Sequence, residues 1–495
     1  MGASRSKRER RSAQSLPDQP APRRSRWIAV TAVVLVLALL AAGITLMATG
    51  FLAAHVTAAS VAGHELTGAM FSYFYRDAYN TFASQNPMAA QTIDPTLPFD
   101  QQVYNQEQNM TWADYFLDEA AKTAADTLRV YDAAMAAGFT LSETSEQTLE
   151  SNRTSLESIA SLMPSYADGD AYIRASYGRG CDVDSYLEYA RIRTIANDFA
   201  EQYRADLSYS AETIQATYAA NPQDFDTVSY KIFYSSVVVG KNDDGTVQAD
   251  MDASRANAER MAEECRGDID RFNEMTVELA AESKKSTYSD PNFSLREDTT
   301  VSSANEILRD WLADPARQYG DTVCLQADER GYYVGFFIDY KDNSFPLASL
   351  RAIAFRAYAS EDNPDDPDGM KAALARGQEA FDTFEAGART AEAFDALAEG
   401  KTSYDPVYAP YLPGDLDGAV DDWCYDQERS PADYALLRGS TGYYLVWFDG
   451  YDGGSYRDHL VDEQLRSADY DAWYESVASG EPARLHATGV LFMSK

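Results

Sequence analysis

Two short runs decide how this chain is read: "GYYVGFFIDY" from Gly331 to Tyr340, and "GYYLVWFDGY" from Gly442 to Tyr451. Each is an apolar, aromatic strand opened by glycine, and the second follows the first by 111 residues. Working outward, each is the last strand of the same order, β–α–α–β–β. "VSYKIFYSSVVV" (Val228–Val239) and "SLRAIAFRAY" (Ser349–Tyr358) are the opening strands, rich in β-branched and aromatic residues. "FNEMTVELA" at Phe272 answers "FDALAEG" at Phe394, and Asp310–Trp311 answers Asp422–Trp423. A module of roughly 110–120 residues therefore occurs twice, which is the expected signature of an internal repeat.

The flanks have another character. Residues 55–226 are read as mostly helical. "SVAGHEL" (Ser60–Leu66) forms a short strand with a turn at Gly63, and Thr67 caps the helix that follows. Residues 84–108, rich in Pro, Asn and Gln, read as a loop. Trp112, Phe116, Ala120, Ala124, Leu128, Tyr131 and Met135 recur at helical spacing and predict a buried stripe that Gly138 stops. Residues 456–495 return to this style. They predict a helix and a final strand, "ARLHATGVLFM", pairing near Val56–Ala62.

The 495 residues carry a formal net charge of −36, which excludes nucleic acid as a partner because phosphate binding needs clustered Lys and Arg. The one basic segment is residues 1–26, with eight basic residues against Glu9 and Asp18. It precedes the uncharged Trp27–Ala54, which is longer than the ~20 apolar residues a spanning helix needs. Positive flanks stay in the cytoplasm. The expectation is one span with the acidic body outside the cell membrane; a long cleaved signal is the alternative. The four cysteines (Cys181, Cys265, Cys324, Cys424) form no metal or redox motif. Free thiols and a Cys265–Cys324 bridge are both open. His64–Glu65 lacks the second histidine of a zincin, and Pro364 and Pro367 break the ligand alternation a calcium loop needs in "EDNPDDPDG" (Glu361–Gly369). No metal or cofactor is expected.

"SVAGHELTGAMFSYFY", "AAMAAGFTLSETSEQ" and "SAETIQATYAANPQDFDTVSYKIFY" together resemble SurA/PrsA-type extracytoplasmic foldases, over most of residues 56–345 and more faintly beyond. The resemblance implies an α+β architecture. A basic tail (1–26) and a membrane helix (27–54) would precede a helical chaperone domain (55–226). Two parvulin-like modules (227–345 and 346–455) would follow, and the C-terminal helix and strand (456–495) would complete the helical core. It also implies a chaperone that holds unfolded or proline-containing polypeptides. Parvulin domains rotate X-Pro bonds with two histidines, one in the first strand and one in the last. Here Lys231 or Ile232 and Tyr333 stand at those places in the first module, and Ala352 or Ile353 and Tyr444 in the second. The four histidines, His55, His64, His459 and His486, all lie outside both modules. The expectation is binding without efficient catalysis, through Lys231, Phe233, Tyr333, Phe355 and Tyr444. The alternatives are an isomerase with an atypical site, using Tyr333 or Tyr444 as donors, and a non-catalytic envelope scaffold.

Overall fold

The computed structural model describes residues 23–241, 247–329, 331–360, 362–399, 401–402, 405–425 and 429–493. Within the first helix, side chains are described at 31–38, 43 and 45–48. Residues 1–22 of the basic tail lie outside the described residues, as do five residues of "KNDDGT" (Lys241–Thr246), which the sequence reads as a turn. The chain is α+β, with small antiparallel sheets, and divides into two compact units. One comprises the described residues up to Leu207 together with those from Ala468 onward; the other runs from Ser208 to Ser467.

The first unit opens with α1 (Arg23–Ala48) and α2 (Phe51–His55). The uncharged stretch Trp27–Ala54 is thus not one helix. Gly50 breaks it with a left-handed φ of 78°, and a Cβ there would lie 2.3 Å from the Gly180 nitrogen. That close approach seats α2 in the folded body, with Ala53 buried. Among the described residues no helix is long and apolar enough to cross a membrane.

The hairpin β1 (Thr57–Val61) and β2 (His64–Thr67) follows, turning at Ala62 and Gly63, both with positive φ. This is the backbone that two-residue hairpin turns demand. Thr67 caps α3 (Gly68–Gln85) by accepting from the Met70 amide at 3.2 Å. The short α4 (Pro87–Ala90) and the pair β3 (Val103–Asn105) and β4 (Met110–Thr111) lead to α5 (Trp112–Ala137). A Thr111–Asp114 capping box starts α5, and Gly138, at φ 72°, ends it. The expected stripe is buried from Trp112 to Leu128, but Met135 is half exposed. Then come α6 (Glu143–Leu162), α7 (Gly169–Tyr177) and α8 (Val183–Asp206). Phe71, Tyr73, Phe74, Phe116 and Leu128 lie at the centre of this unit's core.

The second unit begins with α9 (Ala211–Ala220), which the sequence grouped with the helical segment. Tyr218 there donates to Asp226 at 2.9 Å, tying the helix to the start of β5 (Thr227–Ser236). The chain continues through the hairpin β6 (Val238–Lys241) and β7 (Val247–Asp250), then α10 (Met251–Glu264), α11 (Ile269–Leu279) and α12 (Lys285–Tyr288). Next are β8 (Leu295–Thr300), α13 (Arg309–Leu312), β9 (Thr322–Asp328) and β10 (Gly331–Lys341). The second set is β11 (Pro346–Arg356), α14 (Met370–Ala386), α15 (Ala391–Ala398), β12 (Val407–Tyr411), α16 (Gly418–Cys424), β13 (Tyr434–Arg438) and β14 (Gly442–Ser455).

The two sheets have the same order, β8-β5-β10-β9 and β12-β11-β14-β13. Equivalent positions keep equivalent contacts. Phe336 lies opposite Lys231, and Trp447 opposite Arg351. Lys231 Nζ donates to Asn273 Oδ1 at 2.7 Å, and Arg351 donates to Asp395 at 2.9 Å, so each first strand holds its second helix by a cation. Arg317 lies over Trp311 at 5.5 Å and Arg429 over Trp423 at 4.2 Å. The Phe337 amide donates to Asp321 and the Phe448 amide to Asp433, each at 2.8 Å.

The chain ends with α17 (Tyr456–Ala478), β15 (Arg484–Leu485) and α18 (Ala487–Leu491). Tyr470, Trp473, Tyr474 and Val477 pack on Val130, Ala196 and Ala200, and Trp473 stacks on Tyr203 at 4.1 Å. Leu485 pairs with Ala59 and Arg484 with Ser60. The expected terminal strand is only these two residues. Gly489 lets α18 rest on the Thr57 carbonyl, where a Cβ would come within 2.0 Å. A short apolar run cannot by itself be assigned to strand or helix.

The repeat places Gly320 (φ 87°) and Ala432 (φ 74°) at matching turns. A left-handed residue with a Cβ costs roughly 1–2 kcal/mol, while glycine costs about 0.5–1 kcal/mol of chain entropy. Ala432→Gly should therefore gain about 0.5 kcal/mol in urea denaturation. Gly320→Ala should lose at least ~1–2 kcal/mol, because its Cβ would sit 2.6 Å from the Gly267 Cα.

Candidate functional site

Alternation along a strand sends side chains to opposite faces of the sheet. Of the expected contact residues, Lys231, Phe233 and Phe355 face the helices. Phe233 is buried with Ala258, Met261 and Phe272, and Phe355 with Ala380 and Phe384. Lys231 is buried and also donates to the Pro291 carbonyl at 2.8 Å. Burial holds its ammonium pKa below the usual lysine value. None of the three presents its side chain to an open surface.

Tyr333 and Tyr444 face the other way, and here the modules differ. Tyr333 lies opposite Tyr234 in the register, with the rings 5.2 Å apart. With Val237, Asn305, Ile307 and Asp328 they line an open hollow of ≈ 710 Å³. Asn305 shapes the far wall. Its side-chain oxygen accepts from the Ile307 and Leu308 amides at 3.1 and 3.3 Å, turning the exposed Ile307 outward beside the hollow. Tyr234 and Ile307 were not among the sequence candidates. Tyr234 was legible, since period two along "YKIFY" puts it on the face opposite Lys231 and Phe233.

In the second module Ala354 occupies the place opposite Tyr444, and Tyr444 is 8% exposed. Asp417 accepts from the Ser440 amide at 2.7 Å and the Ser440 hydroxyl at 2.6 Å. It also accepts from the Ala419 amide at 3.2 Å, at the start of α16. Those Ser440 bonds hold its carboxyl below the usual carboxylate range. A Cβ on Gly439 would come 2.6 Å from Asp417 Cγ and 2.7 Å from the Tyr444 ring. The β13–β14 turn is thus pinned over Tyr444, and the site is filled.

Beside Tyr333 the Tyr234 hydroxyl donates to Asp328 Oδ1 at 3.4 Å, and no histidine falls in either module. His64 is 2.8 Å from Asp132, and His486 is 2.5 Å from Ser60. Both histidines brace the β1–β2 hairpin in the first unit. The four cysteines are free. Burial pushes the Cys181 and Cys265 thiols up to about 12 and Cys324 to about 11, so they stay protonated. Among the described residues no group of three His, Cys, Asp or Glu could hold a metal ion. Asp366, in the acidic loop, is spent on the Lys371 and Ala372 amides at 2.9 and 2.8 Å, at the start of α14. What the Tyr333 hollow offers is an aromatic, partly apolar surface on which a small ring or aliphatic side chain can be buried. No known family model matches the chain, and no curated protein is significantly similar to it.

Nitration by tetranitromethane, read by peptide mass spectrometry, should modify Tyr333 well ahead of Tyr444. Asp417→Ala should remove the pin, raise nitration of Tyr444, and cost ~1 kcal/mol as a lost helix cap.

Proposed function

We propose that this chain is a membrane-anchored extracytoplasmic chaperone of the SurA/PrsA kind that binds unfolded polypeptides, with parvulin-like modules used for binding more than for catalysis. One observation carries the reading. Two successive modules share a strand order, and they lie in sequence between the helical segment and the β15 strand that returns to it. That is the chain order the family resemblance implies. The uncharged run from Trp27 to Thr49 behind a basic tail supports the anchor, and the acidic body supports an outward placement. Binding rests on apolar burial, at ~25 cal/mol per Å² of apolar surface, and needs no covalent step.

The full-length chain in lipid nanodiscs should suppress aggregation of several unfolded reference proteins at near-stoichiometric ratio. Absence of suppression across all of them would refute the chaperone reading.

A second reading, isomerase activity in the first module, is favoured by the open hollow beside Tyr333. Rotation about X-Pro needs the amide to lose its planarity against a barrier of ~18–20 kcal/mol, and tyrosine hydroxyls can donate to the twisted amide. In a proline-limited refolding assay, catalytic amounts of the chain should accelerate the slow phase, and Tyr333→Ala should abolish the gain. A slow phase unchanged by the wild-type chain removes this reading and leaves the first untouched.

A further inference from the structure

The first unit holds a second hollow that neither module contributes to. It lies between α5 and the end of α17. One part, of ≈ 720 Å³, is bounded by Asp126, Tyr470, Asp471, Tyr474 and Glu475. An adjoining part of ≈ 480 Å³ shares Asp126 and Ala478–Gly480 with it and extends along α5 past Ala121 and Asp118 to Leu485. The far end is fixed by Arg129, which donates to the Ala478 carbonyl at 2.6 Å and to the Glu481 carbonyl. Its guanidinium is therefore turned to backbone oxygens.

Four carboxylates line this cleft, Asp118, Asp126, Asp471 and Glu475, against Lys122 and Arg129. Among the described residues none of the four has an ion-pair partner. Burial raises the carboxyl pKa of both Asp118 and Asp126, and at Asp126 it outweighs the pull of Lys122 and Arg129. A cation entering the cleft would relieve that cost. Tyr470 and Tyr474, both partly buried, supply ring faces beside the carboxylates. The combination suits long side chains whose stems are apolar and whose heads are cationic.

We propose that the α5–α17 cleft is a docking site for extended segments of unfolded polypeptide in which Lys or Arg alternates with apolar side chains. The proposal rests on the chaperone reading and names the class of client segment it selects. Carboxylates meet the cationic heads, and the tyrosine rings and the Ala121–Ala125 floor cover the stems and apolar neighbours. Because the contact is partly electrostatic, affinity falls as salt shortens the Debye length.

The test uses the full-length chain in nanodiscs of zwitterionic lipid and three fluorescein-labelled twelve-residue peptides of equal apolar content. Their polar positions are Lys, Glu or Ser, and binding is read by fluorescence anisotropy. The Lys peptide should bind at least tenfold tighter than the Glu peptide. The double variant Asp126→Asn/Glu475→Gln should lose at least fivefold for the Lys peptide and nothing for the Ser peptide. Tyr474→Ala should weaken both the Lys and the Ser peptide. Since Asp126 is partly buried, the exposed pair Asp471→Asn/Glu475→Gln provides a second variant with the same expected direction. Equal binding of the Lys and Glu peptides, or charge variants that bind as wild type does, overturns the proposal. A tenfold gain in peptide affinity on deleting residues 1–22 would make the chain's own basic tail the occupant and overturns it too. Wild type that suppresses aggregation without preferring the Lys peptide leaves the chaperone reading standing and removes this one. Charge preference without suppression does the reverse.

Discussion

The second unit depends on the pairing of the first strand of each module with its last. β5 runs beside β10 from Ser236↔Gly331 to Thr227↔Lys341, and β11 beside β14 from Arg356↔Gly442 to Pro346↔Ser455. These central ladders join residues about a hundred positions apart, so the chain between must loop away and return. The helices α10 and α11, or α14 and α15, are that excursion, and they cover one face of the sheet they leave. Edge strands β8 and β9, or β12 and β13, each pair with one of the two central strands. Closing such long loops before the contacts form is the entropic cost that slows non-local β folds. The first unit follows the same rule at larger scale, since β1 waits for β15.

Within that shared frame the modules differ in structure at a few positions. The helix-side device is kept with altered chemistry: a buried lysine on Asn273 in one, an arginine on Asp395 in the other. On the opposite face the difference is larger. Tyr234 and Ile307 leave space beside Tyr333, whereas Ala354, Gly439 and the Asp417–Ser440 bonds draw a turn across Tyr444. A smaller residue in the strand permits closure, and a carboxylate in the crossover enforces it. On this face the first module is therefore open beside Tyr333, and the second is filled over Tyr444.

Much of this was legible in the primary structure, for local reasons. The doubled glycine–tyrosine strands, the Thr67 and Thr111 caps and the Gly138 stop each depend on neighbours a few residues away. The candidate site was legible in part. The strand positions were found, but a strand's alternation does not say which face is covered, so Lys231, Phe233 and Phe355 fell beneath helices. The closure over Tyr444 was not legible, because Asp417 and Ser440 are brought together only by the finished sheet. Nor was the fate of Trp27–Ala54: hydropathy alone does not show that Gly50 meets Gly180 and turns the chain. The α5–α17 cleft is likewise a product of assembly, joining residues more than three hundred positions apart.

The return of Arg484 and Leu485 to β1 has a bearing on biosynthesis. A polypeptide emerging from its N-terminal end presents Ala58, Ala59 and the Gly489-accepting backbone of Thr57 long before their covering residues exist. Both modules can mature while that sheet edge stays bare. The helical body therefore reaches its final form last, although it begins first, and until then it depends on its surroundings to keep stray strands away.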